Sequence, residues 1–167
     1  MDTPRHNVVL RPAGTDDLPR LEEVRQAAFA PVFASFRSML GEDIYHLAQA
    51  REDEAQGALL ASLLAPTSRW EVYVVDRDGV VVGFVSVQFN LDTQVGEIGL
   101  NAVHPAYAGQ GIGTAMYDFA ITRMQEAGMR VATVATGGDA SHAPARRAYE
   151  KAGFTVHIPS VWLCRKL

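Results

Sequence analysis

Apolar and polar positions change period along this chain, and each change marks an element. Val8 to Arg11 reads as a first strand. Gly14-Thr15-Asp16-Asp17 then offers caps for a helix with apolar residues at Leu18, Leu21, Val24, Ala28 and Phe29. Pro31 lacks an amide hydrogen and should end or kink that helix. Phe33, Phe36, Met39 and Leu40 then form an apolar-rich connector. A long helix follows, with Ile44, Leu47, Ala48, Ala55, Ala58, Leu59 and Leu63 on one stripe and Arg51 to Glu54 on its outer face. Pro66 stops it.

Trp70 to Asp76 and Val80 to Phe89 are β-rich runs joined by Arg77-Asp78-Gly79, and Asp-Gly between such runs signals a hairpin. Val95 to Val103 is a third meander strand. A helix with Ile112, Met116, Phe119, Ala120 and Met124 on one face follows, and Gly128 is placed as its C-cap. Arg130 to Thr136 reads as a strand. Ser141 and Pro144 start a last helix, which Gly153 closes. Phe154 to His157 and Val161 to Arg165 make a final pair of strands. The order predicts an α/β architecture, a central mixed sheet flanked by about four helices, with one parallel βαβ unit. The 167 residues fit a single domain, 1–167, without linker, repeat or low-complexity segment.

The parallel unit carries the strongest chemical signal, NAVHPAYAGQGIG from Asn101 to Gly113. A strand ends at Val103, His104-Pro105 turns the chain, and a glycine-rich loop opens a helix. Glycines let backbone approach a ligand. The first helical amides have no partner inside the helix, and with the helix dipole they make an anion site. A dinucleotide site fits poorly, because the spacing is GxGxG rather than GxGxxG and the loop follows a late strand.

Composition narrows the ligand. Hydrophobic residues make 48% and charged residues 20%, and the net charge is −4 with no basic run, which argues against nucleic acid. Cys164 is the sole cysteine, so no intramolecular disulfide forms; it is expected as a small buried residue. The five histidines lack ligand spacing, and no metal site is expected. No apolar run approaches the roughly 20 residues of a membrane span. The first residues, MDTPRHN, lack the apolar stretch of a signal peptide, which predicts a cytoplasmic protein.

Ala102 to Met116, AVHPAYAGQGIGTAM, and His142 to Phe154, HAPARRAYEKAGF, resemble the GNAT superfamily of N-acetyltransferases. In that family the first segment is the pyrophosphate-binding loop. The second is the helix beside the pantetheine arm, with a tyrosine near the thioester sulfur. The element order fits along the whole chain. The resemblance implies acetyl-CoA as cofactor, an amine as acceptor and direct attack on the thioester. The family usually has Arg or Gln where this chain has Ala108, and Asn where it has His142. His142 can still hydrogen-bond a pantetheine amide. Dimers are common in the family, so a homodimer is a further expectation.

Four tasks then need residues. Holding the coenzyme falls to the amides of Gly109, Gln110, Gly111, Ile112, Gly113 and Thr114. By resemblance, a free backbone amide near Ala102 or Val103 polarises the thioester carbonyl. Glu97, Gly99 and Asn101 share one face of a regular strand, which suggests a small polar hollow. Asn101 is assigned to the substrate. Glu97 also sits where some family members place a general base, and an ammonium of pKa about 10.4 needs one. The same face equally suits the solvated side of an antiparallel sheet. Tyr149 lies with Ala145, Ala148 and Ala152 at helical spacing, as a core tyrosine would. The resemblance makes it instead the proton donor to the leaving thiolate.

By resemblance, the acceptor binds between the first two helices and the last hairpin, roughly Phe29 to Ile44 and His157 to Trp162. Phe33 and Phe36 in the connector are the expected pocket walls. Glu42, Asp43 and Glu52 to Glu54 suit either attraction of a cationic amine or a solvated helix face. Two other readings stay open: a non-catalytic acyl-CoA-binding sensor or partner-binding module, and a transferase of a longer acyl group.

Overall fold

The computed structural model describes residues 8–167. Residues 1–7, read above as lacking a signal peptide, lie outside the described residues. Five strands form one sheet in the order of the chain: β1 (Val8–Pro12), β2 (Glu71–Arg77), β3 (Val80–Asn90), β4 (Val95–Val103) and β5 (Val131–Val134). The first three pairings are antiparallel and β4–β5 is parallel. Asp78 and Gly79 both hold positive φ, 54° and 86°, the backbone that a two-residue hairpin requires. β3 is buried on both faces over most of its length, and its run VVVGFVSV is correspondingly apolar on both sides.

One face of the sheet is covered by α1 (Leu18–Ala48) and α2 (Ala50–Leu63), through Leu21, Val24, Leu60, Val74 and Phe84. The other is covered by α3 (Ile112–Glu126) and α4 (Ala143–Lys151), through Met116, Ala120, Tyr149, Val85, Val87 and Ile98. Gly128 has φ 81°, and Met129 N donates to Met124 O at 2.9 Å, so α3 ends on the expected glycine cap.

Four expectations need correction. Helix α1 runs through Pro31, and the break falls at Gly41, with φ 72° and ψ 161°. A proline removes one amide and crowds one turn, which a long packed helix can absorb, whereas positive φ ends the helical path. Phe33 and Phe36 are therefore helical residues, not loop residues. The helix expected from Ile44 to Leu63 is instead divided at Gln49, whose φ is −128°. The final pair of strands does not form: residues 154–167 are irregular, with Val156, Ile158, Val161 and Leu163 each more than 80% exposed. β5 is only four residues long, and Pro159 removes a ladder donor from the tail. Cys164, expected to be buried, is exposed.

The feature of the sheet that matters most for function is an irregularity in β4. Val85 pairs with Asn101 and Val87 with Ile98, so β4 spends three steps where β3 spends two. That extra residue turns the strand over. Asn101 joins Ile98 on the α3–α4 face. Glu97, which pairs with Gln88, and Gly99, which faces Trp70, lie on the α1–α2 face. β5 ends opposite Ile98, so β4 from Gly99 to Val103 runs on with no strand along that edge.

Candidate active site

Beyond Val103 the chain makes a short turn, Pro105–Tyr107, opened by His104, whose Nδ1 accepts from Ala106 N at 3.2 Å. His104 is a turn residue, as its position before proline suggests. Gly109 and Gly111 hold φ of 73° and 79°, and Gly111 caps α3. A Cβ at either would meet nothing within 4 Å, so the backbone angle, not crowding, asks for glycine there. The first hydrogen bond into the helix is Ala115 N to Gly111 O, at 3.0 Å. Among the described residues, the amides of Gly109 to Thr114 have no protein acceptor. The first turn of α3 carries no acidic side chain. Gln110 accepts from Arg77 Nη1, and the Arg77 guanidinium lies 5.6 Å from the Tyr107 ring centre, which ties the loop to the end of β2. The result is a cluster of outward donors at a helix start, suited to an anion.

Next to it, on the α3–α4 face, three side chains form one network. Asn101 Nδ2 donates to Gly99 O at 2.9 Å and to Tyr149 Oη at 3.0 Å. Tyr117 Oη donates to Asn101 Oδ1 at 2.8 Å. The rings of Tyr117 and Tyr149 lie 4.5 Å apart. Burial, with Tyr149 adding to it, pushes the Tyr117 phenol far above its ordinary range, so it stays a donor. Asn101 must then accept from Tyr117 and give its amide to Tyr149. Tyr149 receives that donation, and its own hydroxyl reaches back to Asn101 Oδ1 at the longer distance of 3.4 Å. α4 places this residue firmly, because Phe154 N donates to Tyr149 O at 3.1 Å through the cap at Gly153, φ 98°.

Glu97 does not join this network. Its carboxylate accepts from Gln88 Nε2 at 2.6 Å on the opposite face of the sheet. The polar hollow expected over Gly99 is occupied: a Cβ there would meet the Trp70 ring at 2.4 Å. The regular-strand assumption put Glu97 and Asn101 together, and the extra residue in β4 separates them.

His142 sits at the head of α4 against α1. Its Nδ1 meets Asp139 Oδ1, and its ring lies 5.9 Å from Phe36 at 30°. Asp139 Oδ2 accepts from Ser35 Oγ at 3.0 Å, from Ser141 N at 3.1 Å and from Ser141 Oγ. Burial would push this carboxyl up, but the hydrogen bonds of Ser141, His142 and Ser35 outweigh it and hold the group well below the carboxylate range. Phe33 packs edge-on to Phe29 and lines an open groove of about 570 Å³ with Arg37, Gly41, Glu42 and Tyr45. Phe36 does not line that groove. Among the described residues there is no group of three or more metal-ligating side chains and no helix long and apolar enough to cross a membrane.

Tyr117, Asp139 and Ser35 escaped the sequence reading. A phenol one position from Met116 on the buried side of α3 was the available signal for the first. For Asp139 it was its place three residues before His142. Nothing in the sequence pairs Ser35 with a residue 104 positions away.

The model of the acetyltransferase (GNAT) family matches residues 33–154. A mycothiol acetyltransferase of Sanguibacter keddieii is 34% identical over 97 residues, 55% of this chain. The match spans only 30% of that protein's length. The PaiA N-acetyltransferase of Thermoplasma acidophilum, solved with coenzyme A, superposes with a TM-score of 0.71 at 18% identity, covering 92% of this chain and 93% of that one. The ribosomal-protein-S18-alanine N-acetyltransferase of Escherichia coli gives a TM-score of 0.63 at 21% identity, covering 88% and 77%.

Proposed function

Because the chain belongs to the GNAT acetyltransferase family, we propose that it is an acetyl-CoA-dependent N-acetyltransferase that moves an acetyl group to a primary amine of a small molecule or protein. One observation carries the reading: the unpaired amides of Gly109 to Thr114 open α3 beside a β4 edge that β5 leaves free. The pyrophosphate sits on those amides, and the pantetheine arm lies along Gly99 to Val103. The amide of Ala102 or Val103 polarises the thioester carbonyl. His142 lines the arm.

The chemistry is direct. The amine loses its proton, its nitrogen attacks the carbonyl carbon, and the carbon–sulfur bond breaks. Tyr149, receiving the Asn101 amide, gives its proton to the thiolate. Glu97, on the face opposite Tyr149, is the base that the strand pattern offers, acting through water. Phe33 walls the acceptor groove, and Phe36 backs it beside the His142 ring. The enzyme is one domain, 1–167, works in the cytoplasm and forms a homodimer.

Calorimetric titration of acetyl-CoA tests the cofactor, and release of free thiol with a panel of amines tests the transfer. Saturable binding with amine-dependent thiol release is expected. Binding without release from any amine would leave a non-catalytic acyl-CoA module. No binding by folded protein overturns the reading.

A further inference from the structure

Asp139 is built more elaborately than a helix start needs. One oxygen accepts from Ser141 N, as a capping residue should. Yet the same carboxylate also takes Ser141 Oγ, Ser35 Oγ from α1, and His142 Nδ1. Arg146, one turn into α4, donates to the carbonyls of Gly137 at 2.6 Å and Asp139 at 2.7 Å, which fixes the loop. A Cβ on Gly137 would lie 2.4 Å from His142 Nδ1, so the ring is held close against this backbone. Three elements thus combine to fix one imidazole.

The fixing has a chemical consequence. A carboxylate held ionised accepts from Nδ1, which puts the neutral ring's proton there and leaves Nε2 with its lone pair. Among the described residues, Nε2 has no protein partner. The ring is part-exposed and packs beside Phe36 of α1. The groups facing it are Asp139 and the uncharged Ser141 from its own loop and Phe36 from α1.

We propose that His142, oriented by Asp139, is the base that takes the proton from the acceptor amine. The inference rests on the acetyltransferase reading and competes with Glu97 for this one step. Nε2 accepts a proton from the ammonium, and the freed nitrogen attacks the carbonyl carbon. The carbon–sulfur bond breaks, Tyr149 protonates the thiolate and regains a proton through solvent as the new amide nitrogen sheds its second one, and the imidazolium then returns its proton to solvent. Asp139 is a positioning residue: it sets the tautomer and stabilises the imidazolium. The Glu97 carboxylate is instead engaged by Gln88, on the face of the sheet opposite α4.

Two measurements decide it. The first compares His142→Asn, Asp139→Asn and Glu97→Gln, with acetyl-CoA saturating and spermidine, tyramine, kanamycin and a peptide with a free α-amino group as acceptors. His142→Asn should lower kcat about a hundredfold or more, abolish the rise of rate with pH, and leave calorimetric acetyl-CoA affinity within about twofold. Asp139→Asn removes the carboxylate that holds the Nδ1 proton, so kcat should fall while acetyl-CoA affinity stays within about twofold. Glu97→Gln should cost less than His142→Asn. Unchanged kcat in His142→Asn, a pH rise that survives it, or a larger loss in Glu97→Gln overturns the proposal. The second reads the tautomer in the wild type by ¹⁵N NMR, assigned against His142→Asn. A proton on Nδ1 is expected, and a proton on Nε2 in the neutral ring overturns the proposal whatever the variants do. Wild type that binds acetyl-CoA but releases no thiol defeats the transferase reading itself, and with it any role for a base.

Discussion

The two faces of β4 hold their functional groups in different ways. On the α3–α4 face, Asn101, Tyr117 and Tyr149 are closely packed and satisfy one another, and the adjoining loop offers unpaired backbone amides. On the α1–α2 face, Phe33 lines an open groove in a helix broken at Gly41, and Glu97 hangs on the strand with Gln88. The first face is rigid where a constant ligand must sit. The second is built from parts distant in sequence, around a volume that side chains do not fill. A cofactor common to a whole family needs the former, while an individual acceptor is selected by the latter.

The largest effect should come from attacking the rigid side. Gly111→Asp places an anion at the cap, and it should weaken acetyl-CoA binding a hundredfold or more by calorimetry. Gly111→Asn, which tolerates the positive φ of the cap and carries no charge, should lose far less. Equal losses would mean that backbone strain alone is at work.

Tyr149→Phe follows, with kcat falling on the order of ten- to a hundredfold and little change in coenzyme affinity. A thiol of pKa about 8.5 leaves fairly well unaided, which bounds the loss. If kcat holds, Tyr149 is a packing residue and the two faces differ in packing alone.

Gly99→Ala probes the turn-over between the faces. Its Cβ would drive into the Trp70 ring, so about 1–3 kcal/mol of stability should be lost in denaturant unfolding. An unaffected midpoint would mean that Trp70 is free to move and that the hollow exists after all.

The smallest effect is in acid. The folded-state pKa of Asp139 lies below its unfolded value, so its contribution is present above about pH 4 and is lost as pH falls below that. The stability of Asp139→Asn should therefore depend less steeply on pH than that of the wild type below about pH 4. Parallel curves would remove Asp139 from the account.

Most of the sheet and the backbone of the glycine loop were legible in the sequence, because they depend on local rules. Asp78-Gly79 dictates a hairpin, and Gly109 and Gly111 dictate positive φ before a helix. Tyr149 was legible through its place in the family's second segment. The neighbours Tyr117, Asp139 and Ser35 were not, since a hydrogen bond between residues far apart leaves no local pattern. Pro31 misled because proline's cost is fixed while the packing that offsets it is not local. The terminal strands misled because apolar alternation states a preference, and a partner edge decides whether it is met.

What the chain alone determined is the family, the order of the five strands and a glycine turn into a helix start, all consequences of backbone geometry that a few glycines and apolar periods encode. Only the tertiary structure decided which functional groups meet. One extra residue in β4 turned Asn101 toward Tyr149 and Glu97 away from it. With a side-chain period of two, a single added residue exchanges the faces of everything beyond it, and the linear spacing of residues does not record such a step.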